Sequence, residues 1–224
     1  MLQKLLYGGK SVYVETLSLG PLGTNCYIIS KDQQALIIDP GGDADKVKHY
    51  LEEHNLMPLA ILLTHAHFDH IGAVHELRTS LNLDVYLHQN EANWIEEPEL
   101  NRSILFLGTS GAIKTIPPEH ILQEGTLQIG TFNFEVVHTP GHSPGSVTFI
   151  FHDEGFIVSG DVLFHQGIGR TDIPEGSITV LAESISKHLY TLPEHFVVYP
   201  GHGVKTTIGE EMYTNPYTLA FYKQ

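Results

Sequence analysis

Residues 62–73 read LLTHAHFDHIGA, an apolar run that ends in three histidines and an aspartate. In an extended segment residues two apart point the same way, so His65 and His67 face one point. Asp69 and His70 follow at the start of a helix expected over 70–81. The positive end of that helix disfavours imidazolium and keeps His70 neutral. Neutral imidazole and ionised carboxylate are the forms that bind a divalent metal. The segment therefore offers two ligand pairs, His65 with His67 and Asp69 with His70. A catalytic ion usually takes about three protein ligands and keeps one position open. Candidates for the missing ligands stand at the ends of other apolar runs: His142 in FEVVHTPGH, Asp161 in GFIVSGD and His202 in HFVVYPGH. Seven ligands of histidine and carboxylate type suit two divalent ions, most readily zinc, with iron or manganese accepted by the same donors.

The elements that must position these residues are legible as short runs rich in Ile and Val, stopped by Pro or Gly, at 35–42, 60–67, 134–142, 155–161 and 195–202; they read as buried strands. Helical spacing is expected over 43–55, 70–81 and 177–189, the last opened by a capping serine. Residues 147–161 read as a hairpin around Asp153-Glu154. In a two-residue turn Val147 faces Gly160 and Ser146 faces Asp161, so His142 lies one short loop from Asp161. Asp39, in ALIIDPGG, is expected to anchor the histidine loop or a turn rather than to ligate. His138 ends a strand and is a candidate to support a ligand, His165 is left open, and Cys26 is expected in a buried strand. Residues 96–119 are long and rich in Pro and Gly, as a lid would be.

Composition narrows the class of function. The chain has 224 residues, 42% of them hydrophobic, and a mean hydropathy of -0.05, enough for a substantial core. No run approaches the roughly 20 apolar residues of a membrane span, and the N-terminal residues lack the features of a signal peptide. One cysteine forbids an intrachain disulfide and fits a cytoplasmic location. A formal net charge of -14 opposes a nucleic-acid or anionic-membrane partner. The 15 histidines outnumber the 12 lysines and arginines together, so imidazole chemistry dominates the cationic side.

The order His65-x-His67-x-Asp69-His70, then His142, Asp161 and His202, resembles the metal motif of the metallo-β-lactamase superfamily, and LGPLGTNCYIIS and ALIIDPGG resemble its leading strands. The resemblance implies an α/β fold, a four-layer αββα sandwich with the metal site at one edge of the two sheets; with no repeat, low-complexity tract or linker composition in the chain, one domain is expected over 1–224. The resemblance also implies one ion on His65, His67 and His142, a second on Asp69, His70 and His202, and Asp161 shared between them. Within the superfamily GIGRTDIPEG and YPGHGVKTTIGEE are most similar to the short bacterial glyoxalase II-like proteins. That likeness implies a binuclear hydrolase of small thioesters, in which Asp69 and Asp161 act through a hydroxide held by the metals. The longer enzymes carry a C-terminal helical domain and tyrosines near the thiol, where this chain has a short tail after His202 and Asp172 and Val204. Glutathione thioesters are therefore expected to be poor substrates. GRTD also occurs in mononuclear iron persulfide dioxygenases, the alternative activity. Arg170 aligns with a substrate-binding lysine and is expected either to grip a substrate carboxylate or to pair with Asp172.

Overall fold

The computed structural model describes residues 3–7 and 10–221; part of the N-terminal stretch read for a signal peptide lies outside them. The chain divides into two compact units. The first runs to Leu122 and adds Gln128–Asn133; the second takes Gln123–Leu127 and the chain from Phe134 onward.

The sheet of the first unit has seven strands in sequence order: β1 (Gln3–Tyr7), β2 (Lys10–Leu19), β3 (Thr24–Lys31), β4 (Gln34–Ile38), β5 (Met57–Leu62), β6 (Asp84–His88) and β7 (His120–Leu122). Its first four strands pair antiparallel, and β4 to β7 pair parallel. Parallel strands require crossovers, and α1 (Ala44–Glu53) supplies the first of them. Ile28, Ile37, Ile61 and Val85 of the sheet pack with Val47 and Leu51 of α1 and with Val74 and Leu77 further along. Each such fully buried aliphatic side chain contributes about 1.5–3 kcal/mol. Cys26 sits fully buried in β3 as expected, and burial pushes its thiol well above the ordinary value.

The helix expected over 70–81 is a correction. The chain forms two helices, α2 (Phe68–Ile71) and α3 (Val74–Leu81), with a break at Gly72–Ala73. The Ala73 amide donates to the carbonyl of Pro40, and a Cβ on Gly72 would lie 2.2 Å from the carbonyl oxygen of Gly41. Backbone from the end of β4 thus displaces the intrahelical ladder at that point. His70 consequently lies at the third residue of a one-turn helix, and its orientation comes from a side-chain partner described below.

The 96–119 segment holds a short α-helix, α4 (Ser103–Leu107), and a 3₁₀ turn, Thr109–Gly111, and is tied to its surroundings. The Asn101 side-chain Nδ2 donates to the carbonyls of Trp94 and Ile113. The buried Arg78 guanidinium donates to the carbonyls of Ile116 and Pro117 and pairs with Glu119, whose other oxygen accepts from the Val85 amide. Leu105 and Phe106 are exposed at its tip.

The six-stranded sheet contains β8 (Gly125–Ile129), β9 (Phe132–His138), β10 (Val147–Phe151) and β11 (Phe156–Gly160), followed past a small hairpin, β12 (Leu163–Phe164) with β13 (Gly167–Ile168), by β14 (Val197–Pro200) and β15 (Thr206–Thr207). The spatial order is β15-β14-β11-β10-β9-β8, with β11 and β14 parallel. The β10–β11 register pairs Phe149 with Val158 and Phe151 with Phe156, the register expected for Val147 opposite Gly160, although the turn uses His152–Gly155. The expected 177–189 helix is α5 (Ile178–Ser184), capped by the Ser177 side chain and continued by a π-helical turn over Ile185–Leu189. Leu181, Ile185 and Leu189 pack with Ile150, Ile157 and Val198 of the sheet. Helices α6 (Ile208–Thr214) and α7 (Pro216–Phe221) end the described chain. Among the described residues no helix is long and apolar enough to cross a membrane.

Arg78→Ala is expected to lower stability by about 2–4 kcal/mol, because Glu119 loses its cation and two carbonyls lose a charged donor. Chemical denaturation checks it; an unchanged midpoint would show that Arg78 does not secure the segment.

Candidate metal centre

In the first unit the ligand segment starts where two parallel strands stop. The Asp39 amide still donates to the Leu62 carbonyl, so the ladder runs one step past β4. Asp39 then takes a left-handed conformation, φ 51°, which Asp tolerates better than most residues. Its carboxylate, 1% exposed, turns onto the neighbouring loop. Oδ1 accepts from the Thr64 amide at 2.8 Å; Oδ2 accepts from the Thr64 hydroxyl at 2.6 Å and from His70 Nδ1 at 3.0 Å. Having donated its proton to Asp39, the Thr64 hydroxyl accepts from His65 Nδ1 at 3.1 Å. Both imidazoles are therefore held through Nδ1 and present Nε2 as the ligating nitrogen. Asp39 anchors the histidine loop, as its sequence position led us to expect. Asp69 Oδ2 accepts from the Thr24 hydroxyl at 2.9 Å and lies 3.5 Å from His70 Nε2. His65 lies with its ring centroid 4.1 Å from that of His70 and 4.7 Å from that of His67. Gly41 is required here, since a Cβ on it would lie 1.8 Å from the carbonyl oxygen of Asp69.

The second unit gathers the other three candidates at the ends of β9, β11 and β14. The loop after β9 is pinned to α5: the Ser177 amide donates to the Gly141 carbonyl, and the Ser184 hydroxyl donates to the Pro140 carbonyl. His142 Nδ1 donates to the backbone carbonyl of Arg170 at 2.9 Å, which again leaves Nε2 to ligate. A register shift in β11–β14 aligns Gly160 with Pro200, and the Gly201 amide donates to the Gly160 carbonyl, so Asp161 and His202 leave the sheet side by side. Asp161 Oδ2 lies 3.6 Å from His142 Nε2 and 3.7 Å from His202 Nε2.

These separations test whether the donors fit a metal. At 3.5–3.7 Å the pairs are too long for good hydrogen bonds. Two ligands about 2.0–2.1 Å from one tetrahedral ion stand about 3.4 Å apart. The donor spacing fits the coordination of a divalent cation.

Other sequence candidates fall elsewhere. His138 Nε2 donates to the Pro144 carbonyl, inside the loop that leads to His142. His165 Nδ1 lies 3.4 Å from Glu211, a buried carboxylate that also accepts from Thr206, Asn215 and the Gln166 amide. Arg170 forms a bidentate pair with Asp172, through Nε–Oδ1 at 2.8 Å and Nη2–Oδ2 at 3.0 Å, and this pairing holds the Asp172 carboxyl below its ordinary range. The ion-pair alternative is the arrangement the side chain adopts. Thr24, Thr64, Glu91 and Asn101 support ligands or the ligand segment, and no local motif announced them.

Residues 19–202 match the metallo-beta-lactamase superfamily, and the chain belongs to that family. It is 47% identical over 92% of its length to "Probable metallo-hydrolase YqgX" of Bacillus subtilis, covering 97% of that protein. It is 36% identical over 91% of its length to "Hydroxyacylglutathione hydrolase GloC" of Haemophilus influenzae, again covering 97%. Among solved structures, "BLEG-1 B3 metallo-beta-lactamase" matches with a TM-score of 0.89 and 49% identity, covering 92% of this chain and 99% of that one. The fold is the metallo-β-lactamase fold, with two sheets and helices, and the chain is a metal-binding member of a metallo-hydrolase family.

Gly169→Ala would place a Cβ 1.9 Å from the Asp161 carbonyl oxygen and 3.0 Å from the His142 Cβ. It is expected to weaken zinc binding about tenfold or more, the effect typical of losing a ligand's support, with secondary structure retained by circular dichroism. Wild-type zinc affinity would contradict this account of the second ligand set.

Proposed function

We propose that the two ligand sets serve one binuclear centre in a single domain, with His65, His67 and His142 on one ion, Asp69, His70 and His202 on the other, and Asp161 shared. The family match spans all seven residues, and the donor spacing within each set supports the same reading. The reaction proposed is hydrolysis of small thioesters in the cytoplasm. Two divalent ions, zinc in this reading, would polarise the substrate carbonyl and lower the pKa of water from about 15.7 towards about 7. The protein's own part is to fix the carboxylates: Asp69 through Thr24, and Asp161 at the end of a bulged strand, where they orient the attacking water and hold its proton. Water adds to the carbonyl carbon, the C–S bond breaks, and the proton leaves with the thiol.

The observation that carries the thioester reading is the likeness to GloC. GloC, whose name is hydroxyacylglutathione hydrolase, is matched over nearly its whole length, and this weighs against the expectation that glutathione thioesters are poor substrates. A second reading, β-lactam hydrolysis, rests on the likeness to BLEG-1. The zinc-loaded protein should hydrolyse lactoylglutathione or a small-thiol thioester with kcat/KM at least about 100-fold above that for β-lactams, roughly 2.7 kcal/mol in transition-state binding. Preferred β-lactam turnover would reverse the two readings. Oxygen uptake with a persulfide and a single iron would point to the dioxygenase alternative.

Arg170 is proposed as the substrate-carboxylate contact, in competition with Asp172. Arg170→Lys should lower kcat/KM about tenfold, roughly 1.4 kcal/mol, on thioesters that carry a carboxylate. Equal losses on uncharged thioesters, tracking thermal stability, would reduce Arg170 to a loop clasp.

A further inference from the structure

In an extended chain alternate amides face the same way, and along the ligand segment each meets a different buried acceptor. The Thr64 amide donates to Asp39 and the Phe68 amide to the Asn101 carbonyl. Between them the Ala66 amide donates to Glu91 Oε2 at 2.6 Å. Glu91 ends a 3₁₀ turn, Gln89–Glu91, directly after β6, and is 0% exposed. A carboxylate removed from water is costly and is retained only where its hydrogen bonds hold something in place. What it holds is the one residue between His65 and His67. Asp39 reaches His70 directly and His65 through Thr64, and Thr24 reaches Asp69. Neither fixes the step from His65 to His67.

We infer that Glu91 is a positioning residue: by gripping the Ala66 amide it sets the spacing of the His65 and His67 imidazoles and so the affinity of the metal that this pair holds. The inference rests on the binuclear reading above, and it makes the two metal equivalents separable by mutation. Glu91 governs the equivalent on His65 and His67. Thr24 governs the one on Asp69 and His70.

The test is stepwise zinc titration of the metal-free protein against a competing chelator, repeated with cobalt to follow each equivalent by its absorption. Glu91→Ala should weaken one equivalent about 10–100-fold and leave the other within about threefold. Glu91→Gln, which keeps an oxygen acceptor, should restore most of the loss. Thr24→Val should weaken the opposite equivalent. If Glu91→Ala does not fold, Glu91→Asp withdraws the acceptor by one methylene and should show the same selective loss. Two wild-type equivalents in both Glu91→Ala and Glu91→Asp would overturn the inference, as would an equal loss at both equivalents that follows the melting temperature of the metal-free protein. Uptake of one equivalent by the wild type would instead overturn the binuclear reading; Glu91 then stands or falls on whether Glu91→Ala weakens that single equivalent.

Discussion

The orientation of both His65 and His70 in the first unit depends on one carboxylate. Asp39 accepts three hydrogen bonds, from the Thr64 amide, the Thr64 hydroxyl and His70 Nδ1, with almost no exposure to water. It can do so because β4 and β5 are parallel and end together, which brings the first residue past one strand to the loop past the other. The left-handed backbone at Asp39 stores some strain, and the three bonds offset it. Without that carboxylate the Thr64–His65 relay loses its acceptor, and neither His65 nor His70 has its tautomer fixed.

The rest of the architecture repeats this logic with different groups. Each candidate histidine with a resolved Nδ1 partner is turned by a backbone or side-chain oxygen so that Nε2 is presented, and Asp69 in α2 and Asp161 past β11 sit where glycine lets neighbouring backbone pass. Gly41 against Asp69 and Gly169 against Asp161 are two independent instances, each with room for a hydrogen and none for a methyl group. The strands supply rigidity and the short loops supply the ligands, so ligand geometry is inherited from sheets buried on both faces. The burial of β3, β10 and β11 along nearly their whole length shows how little those sheets can shift.

What could be read from the sequence was whatever repeats with a short period. The apolar runs located the strand ends that carry Asp39, His65, Asp161 and His202. The hairpin register followed from the Val147–Gly160 pairing, and it holds even though the turn takes four residues, because a symmetric widening of the turn leaves the pairing unchanged. The helix over 70–81 was misread, since its break at Gly72–Ala73 is imposed by Pro40 and Gly41, some thirty positions earlier, and no periodicity carries that information. Glu91, Thr24 and Asn101 were invisible for the same reason: each acts on a residue far away in sequence through one hydrogen bond. Arg170 was legible as a loop cation beside a ligand, and Asp172 two residues on gave the local partner that the side chain takes.

The central claim is a pair of ions that share Asp161. It is tested most directly by diffraction from zinc-loaded crystals, with anomalous data collected at the zinc edge. The account predicts two peaks about 3.5–4 Å apart, one against His65, His67 and His142, the other against Asp69, His70 and His202, with Asp161 touching both. A single peak at full occupancy in excess zinc, or two peaks with Asp161 bound to neither, would contradict it.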